Sequence, residues 1–412
     1  MARADTRSEL RWSSMAEVLI AGVGMIPFAK PGQNQSYDLM GAGAARAALD
    51  DAGIAYADIE RAYAGYVYGD SCAGQAALGH LGATGIPIIN VNNNCASGST
   101  AFALAVETIR NQPDACILAL GFEQMAPGAL DVVFADRPNP VGPHLARVAE
   151  MMDLTVDDRA KPPAIQLFGC QVELLQQRCG VDDRALAKIA VKARCHAAAN
   201  PYALFRTPLQ EDDVLASPLL FRGLRKLFAC PPSCGAAAAV LCGPRFAARH
   251  GLQRNVRVIG SGWISDRTEH FSGDPLDLMF RALGRDAADK AYENAGVGPK
   301  DIDVVELHDC FTSNEALMYS ALGFCSEGEI ERFIIEGRGS YGGDIVVNPS
   351  GGLLSKGHPL GATGLAQIAE LTWQLRGIAG RRQVEGARTG LQQNAGLGSA
   401  GFVHILQKSS KV

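Results

Sequence analysis

The chain has 412 residues, with 38 Lys and Arg against 43 Asp and Glu, a net charge of -5, 47% hydrophobic and 20% charged residues. That length exceeds what one hydrophobic core organises, so two halves are expected, and the charge leaves no basic footprint for nucleic acid. The 11 cysteines include no CxxC pair, which points to a reducing compartment and an expected cytoplasmic location.

Residues 1–17 form an expected extension that lacks the apolar core of a secretory signal, and no apolar run reaches the roughly 20 residues that cross a bilayer. Val18 to Gly24 is an apolar strand ending in glycines, and a helical pattern follows that closes at Ala-Gly within ALDDAGIAYADI (48–59). Pro87 to Val91 is predicted as a buried strand leading to Cys95 and a helix with Phe102, Val106 and Ile109 on one face. From Met125 to Leu220 the chain is richer in proline and charge, with helices expected over 166–178 and 184–199, and it is expected to cap one face as an insertion. Val256 to Gly262 then repeats the glycine-ended strand, and AYENAGVGPKDI (291–302) repeats the Ala-Gly helix stop. Val304 to Leu307 is a strand that enters a turn, with Thr312 and Glu315 in a capping-box spacing. Ile345 to Val347 runs into Gly357-His358-Pro359-Leu360-Gly361 and a helix carrying Leu365, Ile368, Thr372 and Leu375. Arg388 to Gln392 is a strand, Asn394 to Gly398 a glycine turn, and Phe402 to Leu406 the last strand. The halves are thus duplicated, bounded as 18–124 with 221–250, and 251–412, around the insertion 125–220. Ligands of open α/β sheets sit at the carboxyl ends of strands, where these special turns fall.

Cys95 stands ahead of a helix among small residues, a placement expected to lower its thiol pKa, whereas most buried cysteines are inert. Cys72, Cys116, Cys170, Cys179, Cys195, Cys242 and Cys325 are given the inert reading. His358, between glycine and proline, is expected to present its imidazole as a base rather than pack it. His308 and Cys310 flank Asp309 at a strand end. They suit acid/base or oxyanion chemistry, and no second Cys/His cluster completes a four-ligand metal site, so no metal is expected. Amides around Asn394 and Gly396 could hold an oxyanion or simply form a hairpin turn. Arg222, Arg225 and Lys226 form a basic cluster that is weakly suggestive of a site for an anionic substrate. No dinucleotide fingerprint, phosphate loop or GxSxG elbow is present.

The segments GYVYGD (65–70), GIPIINVNNNCASGST (85–100), LALGFEQM (118–125), DIDVVELHDCFTSNEAL (301–317), NPSGGLLSKGHPLGATGLAQIAEL (348–371) and LQQNAGLG (391–398) together resemble the thiolases. The HDCF run, with Asn394 where most thiolases have a late cysteine, is similar to the sterol carrier protein 2 (sterol carrier protein X) type branch. This resemblance implies an α/β thiolase fold of two βαβαβαββ halves in αβαβα layers, and usually a dimer or dimer of dimers. It implies an acyltransferase of lipid metabolism, acting in fatty acid or sterol side-chain β-oxidation, that cleaves 3-oxoacyl-CoA with coenzyme A as co-substrate, or runs the reverse Claisen condensation, with no bound cofactor. Cys95 would carry the acyl group, His358 would activate it, His308 would bind the thioester oxygen, Cys310 would be the second acid/base, and Cys95 and Gly396 amides would form an oxyanion hole. Gln393 stands where relatives often have histidine, Cys234 replaces a usual aspartate, and no carrier domain is expected after the last strand. A thiolase-like protein without thiolysis activity, a retro-aldolase with a partner subunit, a ketosynthase-like condensing enzyme and an acyl-lipid binder are the alternatives.

Overall fold

The computed structural model describes residues 16–127, 134, 136–252 and 255–409, so most of the N-terminal extension and the last three residues lie outside it. Its strands are β1 (Val18–Met25), β2 (Arg61–Gly65), β3 (Ile88–Val91), β4 (Cys116–Glu123), β5 (Leu219–Phe221), β6 (Leu224–Arg225), β7 (Gly235–Cys242), β8 (Val256–Ile264), β9 (Val304–Glu306), β10 (Val346–Val347), β11 (Thr389–Gly396) and β12 (Ala400–Lys408). The helices that matter for the site are α1 (Tyr37–Ala52), α2 (Ser97–Asn111), α3 (Pro163–Cys179), α4 (Asp183–Ala197), α5 (Arg281–Ala295), α6 (Thr312–Ala321) and α7 (Thr363–Arg376).

Ten strands form one continuous sheet in the order β10-β9-β11-β12-β8-β1-β7-β4-β2-β3. Counted from each outer edge toward the junction, both halves run third, second, fourth, fifth, first. Both pair the outer three strands in parallel and the inner pairs antiparallel. The halves join where β1 meets β8 antiparallel at Val18–Val258 and Leu19–Arg257. This is the duplication expected from the two Ala-Gly repeats.

The same packing device recurs in both halves. A Cβ on Gly22 or Gly24 of β1 would lie 2.3 Å from backbone atoms of Ala48 in α1, and one on Gly260 or Gly262 of β8 would lie 2.3 or 2.0 Å from carbonyls of α5. Glycine on the strand and alanine on the helix let each pair approach at backbone distance, so a larger residue would overpack the layer.

Between the halves, α7 packs on β1, β7, β11 and α2. Its sequence suggests an apolar stripe, but the helix is buried on nearly every side, including Gln367 and Glu370. Burial of these polar groups is tolerated because each is paired. Gln367 donates to Gln393 O at 3.1 Å, and the Glu370 carboxylate accepts from Arg382 Nε at 2.9 Å. Helices α3 and α4 share one apolar cluster with the C-terminal half, including Leu174, Ile189, Leu317 and Phe333.

Three local expectations are corrected. The strand β3 is not buried: it is a sheet edge with Ile89 37% exposed, because only β2 lies beside it. The Thr312–Glu315 capping box does not form. Phe311 occupies the cap, and Glu315 turns inward to Lys192, Tyr319 and Asn348. Asn394 to Gly396 is not a turn, because β11 runs through it in register with β12 and the reversal comes at residues 397–399. Among the described residues no helix is long and apolar enough to cross a membrane.

Candidate active site

Cys95 sits in a braced loop between β3 and α2. Asn93 N–H donates to Ser97 Oγ at 3.0 Å, Ser97 Oγ donates to Asn94 O at 2.7 Å, and Asn93 Nδ2 donates to Thr100 Oγ1 at 2.9 Å. Asn94 adopts φ 53°, a left-handed conformation that asparagine tolerates better than most residues, and this turns the next side chain out of the helix path. A lowered thiol pKa does not result. Burial pushes the Cys95 thiol up to about 12, and the backbone amides of Cys95 and Leu397 offset only part of that. Desolvation outweighs the helix terminus, so the thiol keeps its proton unless a neighbouring group accepts it.

His358, which lines the same cavity as Cys95, is buried rather than presented as expected. Its backbone N–H donates to Ser233 Oγ at 2.8 Å, and its Nδ1 lies 2.7 Å from Thr363 Oγ1. Thr363 spends its own proton on Pro359 O at 2.9 Å, so Oγ1 must accept from Nδ1–H and the lone pair is left on Nε2. Among the described residues, His358 Nε2 is buried with no hydrogen-bond partner. Burial, with His308 and Lys356 adding to it, holds His358 well below the usual histidine range and keeps the ring neutral.

His308 follows β9, and its ring meets His358 edge-on with centroids 5.1 Å apart. Burial lowers its pKa to about 4. Its Nδ1 faces Asn394 Oδ1 at 2.9 Å and its backbone N–H donates to Gln393 Oε1 at 3.0 Å. Which amide atom of Asn394 faces the ring fixes the tautomer: Oδ1 leaves a lone pair on His308 Nε2, and Nδ2 would put a proton there. The Cys95 Sγ and one nitrogen from each of His308 and His358 all lie within 4.8 Å of one another.

Cys310 lines the same cavity, and burial, with Cys230 and Cys95 nearby, pushes its thiol well above the usual value. Cys230, which no sequence motif singled out, donates its backbone N–H to Cys310 O at 2.9 Å and lines the cavity beside it. Leu397 was also missed: its amide, one residue beyond Gly396, reaches Cys95, and its carbonyl accepts from Asn94 Nδ2 at 3.3 Å. Gly396 acts by its missing side chain, since a Cβ there would stand 2.1 Å from Asn93 O. Cys234 holds the chain after β4: its sulfur lies 3.2 Å from Met125 N. Next to it, the Glu123 carboxylate accepts from Val67, Tyr68 and Gly361 amides and so ties the His358 loop to β4.

The cavity holds about 710 Å³ and is walled mainly by apolar groups such as Ile165, Phe168, Phe280, Phe311 and Leu354. Of the basic cluster, only Lys226 lines it. Arg222 is paired with Glu173 and Asp158, and Arg225 with Asp183 at 2.9 Å. Arg194, unnoticed in the sequence, is the other cation on the wall, with its guanidinium 4.2 Å from the centre of the Phe205 ring.

Family models described as the thiolase N-terminal domain and the thiolase C-terminal domain-like unit match residues 18–242 and 267–408. The chain belongs to the thiolase family, a family of acyltransferases. It is 45% identical over 403 residues to Sterol carrier protein 2 of Oryctolagus cuniculus, covering 97% of this chain and 73% of that protein. It is also 34% identical to the Acetyl-CoA acetyltransferase of Methanothermobacter thermautotrophicus, over 96% of this chain and 100% of that one. A solved structure described as an Ltp2-ChsH2(DUF35) aldolase superimposes with a TM-score of 0.75 at 24% identity, covering 96% of this chain and 98% of that one, a likeness of fold.

Proposed function

We propose that the chain is a 3-oxoacyl-CoA thiolase working through an acyl-Cys95 intermediate. The observation that carries this reading is the convergence of Cys95, His308 and His358 in one buried cluster, with Cys310 on the same cavity wall. Cys95 gives its thiol proton to His358 Nε2, and the thiolate adds to the 3-oxo carbon. The oxygen that becomes negative is held by backbone amides at the Cys95 loop and the Gly396–Leu397 end of β11. The C2–C3 bond then breaks, and its electron pair forms the enolate of the departing thioester. That enolate oxygen is stabilised by the protonated His358 and by His308, whose Nε2 carries a proton when Asn394 Nδ2 faces its Nδ1. Cys310 gives its proton to C2, and acetyl-CoA or propionyl-CoA leaves. The Cys310 thiolate takes the proton of the incoming coenzyme A thiol. That sulfur attacks the acyl carbon, and Cys95 departs and recovers its proton from His358.

The apolar wall suits a bulky acyl chain, and Lys226 and Arg194 suit the anionic part of the thioester. The free outer edge of β3 supports a homodimer.

Incubation with acetoacetyl-CoA should add an acetyl mass to the peptide carrying Cys95, and Cys95→Ala should abolish it. Cys310→Ala should still acylate but lose turnover. An unmodified Cys95 peptide together with no thiolysis across a panel of 3-oxoacyl-CoA thioesters would overturn the reading.

A further inference from the structure

Sequence spacing argued against a metal site, yet folding brings three ligand atoms together from β3–α2, the end of β9 and the turn before α7. We propose that Cys95, His308 and His358 form a binding site for one soft divalent cation of the zinc or cadmium kind, and that this cation and an acyl group exclude each other. The argument rests on geometry and does not require that thiolysis be the reaction.

The donor set is one sulfur and two imidazole nitrogens with no carboxylate, which selects thiophilic ions over magnesium or calcium. The ligand atoms lie within 4.8 Å of one another. Around zinc, with bonds of about 2.0–2.3 Å, tetrahedral ligands stand roughly 3.3–3.7 Å apart, so the set closes by about 1 Å on binding. Both rings are oriented from behind. His358 donates Nδ1–H to Thr363 Oγ1 at 2.7 Å, and His308 Nδ1 faces Asn394 Oδ1 at 2.9 Å. Such a rear hydrogen bond is what fixes a metal-binding imidazole and leaves Nε2 as the ligand. His358 Nε2 is buried and unpartnered, so a cation would satisfy an atom that nothing else among the described residues satisfies. The fourth position opens on the cavity, where water can complete the shell. The bond that forms is metal to Cys95 sulfur, and the thiol proton is released to solvent, so no redox partner is needed. With its sulfur bound to the metal, Cys95 cannot attack a carbonyl.

The Asn394 amide chooses between the two uses of His308. With Oδ1 toward the ring, Nε2 is a metal ligand; with Nδ2 toward the ring, it is a hydrogen-bond donor to an oxyanion.

The test is titration of the full chain, carrying Cys72→Ser and Cys195→Ser to remove the two exposed thiols, with cadmium and with cobalt. One equivalent of cadmium should raise a sulfur-to-metal charge-transfer band, and cobalt should give visible bands of a tetrahedral site. Cys95→Ala should remove both, while Cys310→Ala should keep them. In parallel, saturating zinc should slow iodoacetamide labelling of the Cys95 peptide at least tenfold, and chelation should restore it. A band that survives Cys95→Ala, or labelling of Cys95 at the same rate with and without zinc, would overturn the proposal. Either result would leave the acyl-Cys95 experiment standing.

Discussion

Thr363→Val removes one oxygen from the site while keeping the side chain's shape. In the native chain Thr363 Oγ1 accepts the Nδ1 proton of His358 at 2.7 Å and passes its own proton to Pro359 O. Valine leaves Nδ1–H buried without an acceptor, a penalty of about 1–3 kcal/mol. With no acceptor left at Nδ1, and Nε2 buried without a partner as well, nothing holds the proton on Nδ1, and in the tautomer that carries it on Nε2 the lone pair that receives the Cys95 proton is lost. The preference for the productive tautomer should fall by roughly 5- to 150-fold, and Cys95 acylation should slow by at least about twofold as its population drops from nearly all to half or less. Since burial already pushes the Cys95 thiol up to about 12, no standing thiolate population compensates. The assay is the pre-steady-state rate of acetyl transfer to the Cys95 peptide, read by mass, with Thr363→Ser as the variant that restores the oxygen and the rate. Acylation by Thr363→Val at the native rate would refute the assignment of His358 Nε2 as base.

Other outcomes follow from the same structure. Gly396→Ala places a Cβ 2.1 Å from Asn93 O, so the end of β11 and the Cys95 loop must separate; acylation should drop by about 100-fold, while a thermal scan shows a folded chain. Normal acylation there would mean that the loop does not depend on this contact. Burial lowers His196 and His308 to about 4 and His404 to about 3, and holds His358 low as well. Below the ordinary histidine value of about 6.5 the unfolded chain binds protons that the folded chain does not, so stability is lost as pH falls from there toward about 4. Each histidine contributes about 1 kcal/mol per pH unit, and a urea midpoint that stays constant between about pH 6.5 and pH 5 would contradict their neutral burial.

The duplication was visible in the chain because local chemistry writes it twice. Glycines at 22, 24, 260 and 262 and the Ala-Gly helix stops answer to contacts within one βα unit, and such contacts depend on short-range pattern. The Cys95 turn and the residues His308 and Cys310 stood out because they follow closely after a strand, and His358 because of its glycine-rich turn before α7. The chain alone misjudged whatever depends on what is packed alongside. The strand β3 is mostly apolar, but only the sheet order makes it an edge. Cys95 precedes a helix, but burial decides its thiol. Arg222 and Arg225 look like free charge until Glu173, Asp158 and Asp183 arrive beside them.

Cys95 therefore has two kinds of determinant. Its identity, its small neighbours and its place before α2 belong to the sequence itself, since the turn is built from residues 92–100. Its partners belong to the tertiary structure, because His308, His358, Cys310, Cys230 and Leu397 come from more than 130 residues along the chain and meet it only when the two halves close on α7. Proton affinity, tautomer and metal affinity depend on distances of a few ångströms and on burial, and only the folded chain sets those.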